Sequence, residues 1–157
     1  MSHFNASEIF QFAMAIEENG QRFYLEMAKK LSDEKVIDLF QYLAKEEEIH
    51  KKTFGDLLSK FEKYEPGQNY PQEYFAYLQA YAGNFIFDKK VLQAEIERIS
   101  DPKDALDFAI RRELDSILYY QEMKIWLPKD QLDKIEKIVQ EERKHFQKLT
   151  EVKKAIQ

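Results

Sequence analysis

LAKEEEIHKKTFGDL, residues 43–57, has the spacing of one helix face whose apolar pattern is interrupted once. Apolar side chains recur at three- and four-residue steps on either side of the interruption, with Leu43 before it and Phe54 after it. Glu47 and His50 occupy the face between them. A buried carboxylate is costly without a positive partner, and Glu-x-x-His aims two side chains from adjacent turns at one point. This geometry is suited to holding a metal ion.

Composition limits both the class of protein and the kind of metal site. The 157 residues contain no Gly/Ser- or Pro-rich linker, so we expect residues 1–157 to form a single domain. Four Gly, four Pro and 34% charged residues are typical of a mostly helical chain with charged exposed faces. The chain has no Cys, which excludes disulfides, thiolate nucleophiles, iron–sulfur clusters and Cys-ligated zinc. Any metal must therefore be held by oxygen and nitrogen.

The chain carries no pattern that would direct it to a membrane or to nucleic acid. Residues 1–10 lack a basic region followed by an apolar one, and no apolar run approaches 18 residues. We therefore expect a cytoplasmic protein without a membrane partner. The net charge of −5 gives no electrostatic support for nucleic-acid binding.

Capping residues and prolines delimit four long helices. Long helices on short connections pack antiparallel. The helices are predicted to run from a cap at Asn5 to Leu31, from Glu34 to Glu62 after Ser32-Asp33, from Ser100-Asp101-Pro102 to about Trp126, and, after Pro128 and a cap at Asp130, from about Gln131 nearly to the end.

The segment between the second and third long helices is predicted to be a partly helical crossover. A loop over residues 65–71 is followed by short helices over Gln72 to Tyr81 and Asp88 to Ile99, with a break at Gly83-Asn84. The sequence therefore predicts an all-α four-helix bundle of two antiparallel hairpins joined by this crossover.

Each long helix carries a carboxylate inside its apolar stripe. Glu17 interrupts the first stripe and Glu113 the third, while the fourth repeats Glu-x-x-His as Glu142 and His145. The two halves of the chain also repeat, which predicts that these residues meet about a pseudo-twofold axis. A shift of 96 aligns Glu17 with Glu113 and Tyr24 with Tyr120, and a shift of 95 aligns Glu47 with Glu142 and His50 with His145.

Together the four stripes supply the ligand set of a dinuclear carboxylate site. Four carboxylates and two neutral imidazoles balance two divalent ions, and oxygen-rich ligation with imidazole favours iron or manganese over structural zinc. The alternative is that these residues are the solvated faces of acidic helices. The predicted metal ligands are Glu17, Glu47, His50, Glu113, Glu142 and His145.

The helix phase leaves some assignments open. Glu18 could replace Glu17, and Glu46 or Glu141 could replace its neighbour. Tyr24 and Tyr120 follow the paired Glu positions by seven residues, so they either fill the core or donate a hydrogen bond to a ligand carboxylate.

These motifs resemble the rubrerythrin-related branch of the ferritin-like superfamily over the four long helices. The residues that carry the resemblance are Glu17-x-x-Gly20-x-x-Phe23-Tyr24 with Glu46-Glu47-x-x-His50, and Glu113 and Tyr120 with Glu141-Glu142-x-x-His145. The resemblance implies a non-haem di-iron site with the six residues above as ligands. Two features depart from the family: Ser116 stands where rubrerythrins carry a further Glu, and the Cys-ligated rubredoxin domain is absent.

The first functional hypothesis is an oxidoreductase that holds two iron ions, or manganese, and reduces hydrogen peroxide or dioxygen. Because a chain without Cys, a flavin motif or a haem signature has no second redox centre, an external electron donor such as a rubredoxin-like protein is expected. A homodimer is also expected. The rival hypotheses are an iron or manganese binding, ferroxidase or metal-handling protein, and a structural bundle with a vestigial site.

Overall fold

The computed structural model describes residues 7–62, 72–85, 89–125 and 127–156. The described ranges are helical and contain no strand, which confirms the all-α prediction. Within them, no helix combines the length and the hydropathy that crossing a bilayer requires. The helices are α1 (Ser7–Lys30), α2 (Glu34–Glu62), α3 (Gln72–Phe85), α4 (Lys89–Arg98), α5 (Pro102–Lys124) and α6 (Lys129–Ala155).

Two apolar layers show how the four long helices pack. The first layer joins the start of α1 to the end of α2 and the end of α5 to the start of α6, whereas the second joins the opposite ends. The α1–α2 and α5–α6 pairs are therefore antiparallel hairpins, as predicted. The first layer includes Phe10, Phe54, Tyr120 and Ile135, and the second includes Phe23, Phe40, Phe108 and Leu149.

A polar layer lies between the two apolar layers. In each long helix, the predicted ligand positions fall in sequence between the residues of one apolar layer and those of the other. The middle of the bundle is therefore built from ionisable side chains, while apolar side chains seal it above and below. Sealing of this kind excludes water and makes uncompensated charge in the middle layer expensive.

The crossover helices cover the outside of α1 and α5. Lys30 Nζ on α1 donates hydrogen bonds of 2.8 Å to the carbonyl oxygens of both Ile96 and Glu97, at the end of α4. Tyr81 on α3 donates a hydrogen bond of 2.9 Å to the carbonyl of Asp115 on α5. The crossover thus connects the two hairpins and also contacts the outer faces of α1 and α5, the helices that carry Glu17 and Glu113.

Most predicted helix ends agree with the structure to within about two residues. The Asp101 side chain accepts a hydrogen bond of 3.0 Å from the Lys103 backbone N–H, and Asp33 accepts one of 3.2 Å from that of Val36. The predicted cap at Asn5, the loop over 65–71 and Trp126 lie outside the described residues.

Two predictions about helix ends were wrong. The N-cap of α6 is Pro128, which leaves Asp130 inside the first turn, where its charge faces the positive end of the helix dipole. The predicted break at Gly83-Asn84 is absent, since α3 continues to Phe85. A single Gly costs a helix only about 1 kcal/mol relative to Ala, and the bond from Tyr81 to α5 holds the adjoining turn.

Candidate metal centre

The six predicted ligand residues meet in the polar layer of the bundle. Glu17 comes from α1, Glu47 and His50 from α2, Glu113 from α5, and Glu142 and His145 from α6. None of them is more than 5% exposed. Ionisable side chains this deeply buried need partners, which argues against the alternative of a solvated acidic face.

The ligand atoms form two overlapping groups. One group contains Glu17, Glu47, His50 and Glu142, and its ligand atoms all lie within 4.8 Å of one another. The second group, within the same limit, contains Glu47, Glu142, Glu113 and His145. Each group thus has one imidazole and one carboxylate of its own and shares Glu47 and Glu142. The sequence repeat predicted paired half-sites, but it did not predict which carboxylates would be shared.

The two imidazoles face the shared carboxylates from α2 and α6. His50 Nδ1 lies 2.8 Å from Glu142 Oε1 and 3.5 Å from Glu17 Oε2. His145 Nδ1 lies 3.0 Å from Glu142 Oε2. The two rings are stacked with centroids 5.6 Å apart and planes 21° apart. The Nδ1 atoms of both rings therefore face the interior of the centre.

The tyrosines bridge the two hairpins. Tyr24 on α1 donates a hydrogen bond of 2.5 Å to Glu113 on α5, and Tyr120 on α5 donates one to Glu17 on α1. Both rings also belong to the apolar layers. Each tyrosine therefore both fills the core and donates a hydrogen bond, the two roles that the sequence left open. Burial first, and then the negative charge of the carboxylates, raises the pKa of both phenols well above the ordinary value. Each phenol therefore keeps its proton and orients a carboxylate.

The three residues that the sequence left open as alternative ligands lie in different places. The Glu18 side chain is 60% exposed and pairs with Lys51 at 3.3 Å, which removes it from the centre. Glu46 and Glu141 lie outside the two buried groups, but they form a third, partly exposed group with His50. Sequence reasoning treated these two residues only as errors of helix phase. The doubled Glu at both repeat positions was the signal that could have identified them.

Several buried atoms of the centre lack a hydrogen-bond partner among the described residues. They are Glu17 Oε2, Glu47 Oε1, Glu142 Oε1 and His50 Nδ1, although the last two form an ion pair at 2.8 Å when the ring is protonated. An unpaired buried polar atom costs about 1–3 kcal/mol, and more when the group is charged. All four atoms can offer a lone pair to a cation, and together they are oxygen-rich with imidazole. The residues present therefore fit a pair of divalent iron or manganese ions.

Gly20 makes room for one of the shared carboxylates. A Cβ atom at this position would lie 2.7 Å from Glu47 Oε2 and 3.3 Å from Glu47 Cδ. Real Cβ atoms do not approach other atoms this closely, so any larger residue would displace the carboxylate. Gly20 is part of the motif that carries the family resemblance, but the sequence did not explain why a glycine stands there. Its role is the close approach of α1 to Glu47.

Mutual repulsion controls the protonation of the metal-free centre. Burial, followed by the charges of neighbouring carboxylates, raises the pKa of Glu47, Glu113 and Glu142. Burial also opposes ionisation of Glu17, but the approach of Glu47 and His50 and the bond from Tyr120 leave its pKa below the ordinary value.

The two imidazoles differ in their protonation. Burial lowers the pKa of His145. Burial acts the same way on His50, but contact with Glu142 and Glu17 outweighs it and raises the pKa of His50 to about 12. Without metal, a His50 cation therefore partly neutralises the carboxylates. A metal ion would replace this proton, because a ligating nitrogen must be deprotonated.

Ser116 occupies the position of the further Glu in rubrerythrins. It lines a narrow cleft between α1 and α5 together with Ile16, Gly20 and Arg112, and Glu47 and Glu113 form part of the same wall. The Ser116 hydroxyl donates a hydrogen bond of 2.9 Å to the Arg112 carbonyl. The side chain at this position is therefore directed to its own helix and supplies no carboxylate to the centre.

The fold and the centre define a ferritin-like protein with a buried carboxylate and histidine cluster of the di-metal type. A structure from Thermotoga maritima, described as a ferritin-like diiron-carboxylate protein, superposes on the chain with a TM-score of 0.70. The two chains are 27% identical, and the match covers 100% of this chain and 99% of the other. No curated protein matches the chain significantly.

The model of the Rubrerythrin family matches residues 8–101, which is more than half of the chain. The chain belongs to the rubrerythrin family, and the predicted resemblance is confirmed. This match ends at the start of α5, yet α5 and α6 supply Glu113, Glu142 and His145 to the same cluster. The family and the buried Glu/His cluster together indicate iron binding.

Proposed function

We propose that the chain is a non-haem di-iron oxidoreductase that reduces hydrogen peroxide or dioxygen with electrons from an external donor. The observation that carries this proposal is the pair of overlapping four-residue groups that share Glu47 and Glu142. Membership of the rubrerythrin family supports iron as the metal. Two divalent ions would neutralise four carboxylates and two neutral imidazoles, and manganese would satisfy the same charge balance.

When bound, a pair of ferrous ions supplies the two electrons that convert hydrogen peroxide, with two protons, into two molecules of water. The protein would hold one ion with Glu17 and His50, the other with Glu113 and His145, and both with the shared carboxylates. Burial of all six residues excludes bulk water from this position. Low local dielectric strengthens every charge interaction within it.

The two tyrosines orient the carboxylates that belong to only one group. The hydrogen bonds from Tyr24 to Glu113 and from Tyr120 to Glu17 cross between the hairpins. Each bond fixes one carboxylate oxygen and leaves the other free for an ion. The raised pKa of each phenol keeps a proton at the Tyr oxygen, so these groups act as donors throughout the range of neutral pH.

In this proposal the electrons come from a separate donor, because these 157 residues contain no Cys to hold an iron–sulfur centre. We propose a separate donor, such as a rubredoxin-like protein, and a homodimeric assembly. Ser116 in place of the family's further Glu gives the centre one carboxylate fewer than that of rubrerythrins, which keeps the choice between peroxide and dioxygen open to experiment.

Anaerobic purification, followed by metal analysis and an optical spectrum before and after peroxide, tests the proposal. We expect two irons per chain, one peroxide consumed per iron pair without a donor, and continued consumption after a donor and reductase are added. Retention of many more than two irons with no donor-dependent turnover would instead establish metal handling. Sustained NAD(P)H-dependent turnover by the chain alone would show that a cofactor site has been overlooked.

A further inference from the structure

Glu141 contacts the His50 ring on the side that faces away from the metal centre. His50 Nε2 lies 2.8 Å from Glu141 Oε2, within hydrogen-bond distance. The imidazole is 1% exposed, whereas the carboxylate of Glu141 is 28% exposed and remains hydrated. Because a carboxylate oxygen only accepts, the hydrogen of this bond belongs to Nε2. The bond therefore joins a buried ring to a carboxylate at the rim of the centre.

This bond determines what the other nitrogen of His50 can do. A neutral imidazole carries one hydrogen, so a hydrogen at Nε2 leaves a lone pair at Nδ1. Nδ1 is buried and faces Glu142 Oε1 at 2.8 Å and Glu17 Oε2 at 3.5 Å, so its lone pair is directed toward the carboxylates of the centre. A carboxylate on the far side of a ligating His fixes the tautomer and the ring orientation and increases the basicity of the ligand.

The equivalent bond is not formed in the other half of the repeat. Glu46 corresponds to Glu141, but its Oε2 lies 3.8 Å from His145 Nε2, which is too far for a hydrogen bond. The His145 ring instead meets the edge of the Tyr42 ring, with centroids 6.3 Å apart. The pseudo-twofold symmetry is therefore broken at the outer edges of the two imidazoles.

We propose that Glu141 is a positioning residue that prepares His50 for metal and so strengthens binding of the ion held by Glu17 and His50. The ion held by Glu113 and His145 has no equivalent support, because the contact between Glu46 and His145 is too long for a hydrogen bond. Fixing a ligand beforehand removes part of the ordering cost of binding. The inference rests on the proposed metal centre.

Anaerobic titration of the metal-free full-length chain with Co²⁺ tests this proposal, with the visible spectrum reporting each binding step. Wild type should bind two ions. Glu141→Ala should weaken one of the two binding steps by about 10- to 100-fold and leave the other unchanged. Glu141→Gln, which keeps a hydrogen-bond acceptor, should recover part of that loss. Glu48→Ala, which removes an exposed carboxylate of α2 outside the three groups, is the control and should change either step by less than about fivefold.

The possible failures are distinguishable. If wild type takes up no Co²⁺, the metal centre itself is wrong. If wild type binds two ions but Glu141→Ala binds them equally well, or if Glu141→Ala and Glu48→Ala weaken binding alike, only the positioning role is overturned. Loss of a third ion from Glu141→Ala, with both inner steps unchanged, would identify an outer cation site and also overturn it. Circular dichroism of the metal-free variants checks folding. If Glu141 had a purely structural role, Glu141→Gln would not recover metal affinity.

Discussion

The two sides of the metal centre satisfy their carboxylates with different chemistry. On the side of α1 and α5, neutral phenols that are at most 2% exposed donate hydrogen bonds to Glu17 and Glu113. On the side of α2 and α6, imidazoles face the shared carboxylates, and partly exposed Glu46 and Glu141 surround the outer edge of His50. The side chains of the first side are almost fully buried behind the narrow cleft at Ser116, whereas the carboxylates at the edge of the second side keep contact with water.

The difference follows from the cost of burying charge. Where water is excluded, an uncharged donor can satisfy a carboxylate without adding a second buried ion. Where water remains, a charged group can sit beside an imidazole because solvent still stabilises it. We therefore expect changes to the ions to act on both sides, and changes to the tyrosines to act locally.

Removal of metal should have the largest effect, because the ions hold both sides together. At a free metal concentration 1,000 times the dissociation constant, one bound ion stabilises the fold by about 4 kcal/mol. Chelation should therefore lower the melting temperature at pH 7 substantially, as measured by calorimetry. An unchanged melting temperature after complete metal removal would refute the buried metal centre.

The effect of chelation should be smaller at pH 5. Glu47, Glu113 and Glu142 of the metal-free protein have pKa values raised above the ordinary 4.5. A carboxyl with a raised pKa stabilises the fold fully below its unfolded pKa, and this contribution is lost as the pH rises through the folded pKa. The lowered pKa of Glu17 acts in the opposite direction, but its contribution is already present above about pH 4.5. The lowered pKa of His145 also opposes the change between pH 5 and pH 7, whereas the pKa of His50, raised to about 12, acts in the same direction as the three carboxyls. The metal-free protein should therefore melt at a higher temperature at pH 5 than at pH 7.

The next largest effect should come from a shared carboxylate. Glu47→Ala and Glu142→Ala should each lose at least one metal per chain, because each residue belongs to both four-residue groups. Glu48→Ala, next in sequence but exposed, is the matched control and should keep full metal content. Metal analysis after dialysis measures the difference. The assignment fails if Glu46→Ala strips the metal while Glu47→Ala retains it.

Gly20→Ala should separate metal binding from folding. The added Cβ would displace the Glu47 carboxylate, from which it would lie 2.7 Å, and weaken metal binding by about 100-fold. The metal-free variant should fold normally, since the end of a Glu side chain can move and Ala favours helix by up to about 1 kcal/mol. Gly83→Ala, where a Cβ would meet nothing within 4 Å, should raise the melting temperature slightly and leave affinity unchanged. Equal metal affinity in both variants would contradict the role given to Gly20.

Much of this centre was predictable because the two halves of the sequence place polar residues inside apolar helix faces at matching positions. Glu47 and Glu142 interrupt apolar stripes at matching positions, and a burial penalty is visible in a sequence once the helical period is known. The same reasoning placed Tyr24 near the centre but could not choose between packing and hydrogen bonding. That choice depends on which hairpin lies opposite, which is a long-range property.

Other features depend on distances that one helix cannot determine. Three such features arise where separate helices meet. They are the sharing of Glu47 by both groups, the close approach of Gly20 to that carboxylate, and the unequal outer contacts of His50 and His145. The helix break predicted at Gly83 failed for a related reason, because a contact of Tyr81 with α5 outweighs a weak local preference.

The smallest effect should come from removing one phenol hydroxyl on the side of α1 and α5. Tyr24→Phe leaves Glu113 without its donor, which should cost about 1–3 kcal/mol and weaken metal binding about tenfold. Tyr119→Phe is the matched control, because its hydroxyl is equally buried but donates 2.9 Å to the carbonyl of Ile9, away from the centre. Both variants should lower the melting temperature, and only Tyr24→Phe should change the Co²⁺ titration. If Tyr119→Phe weakens metal binding as much, the tyrosines act through packing of the bundle, and the proposed difference between the two sides is wrong.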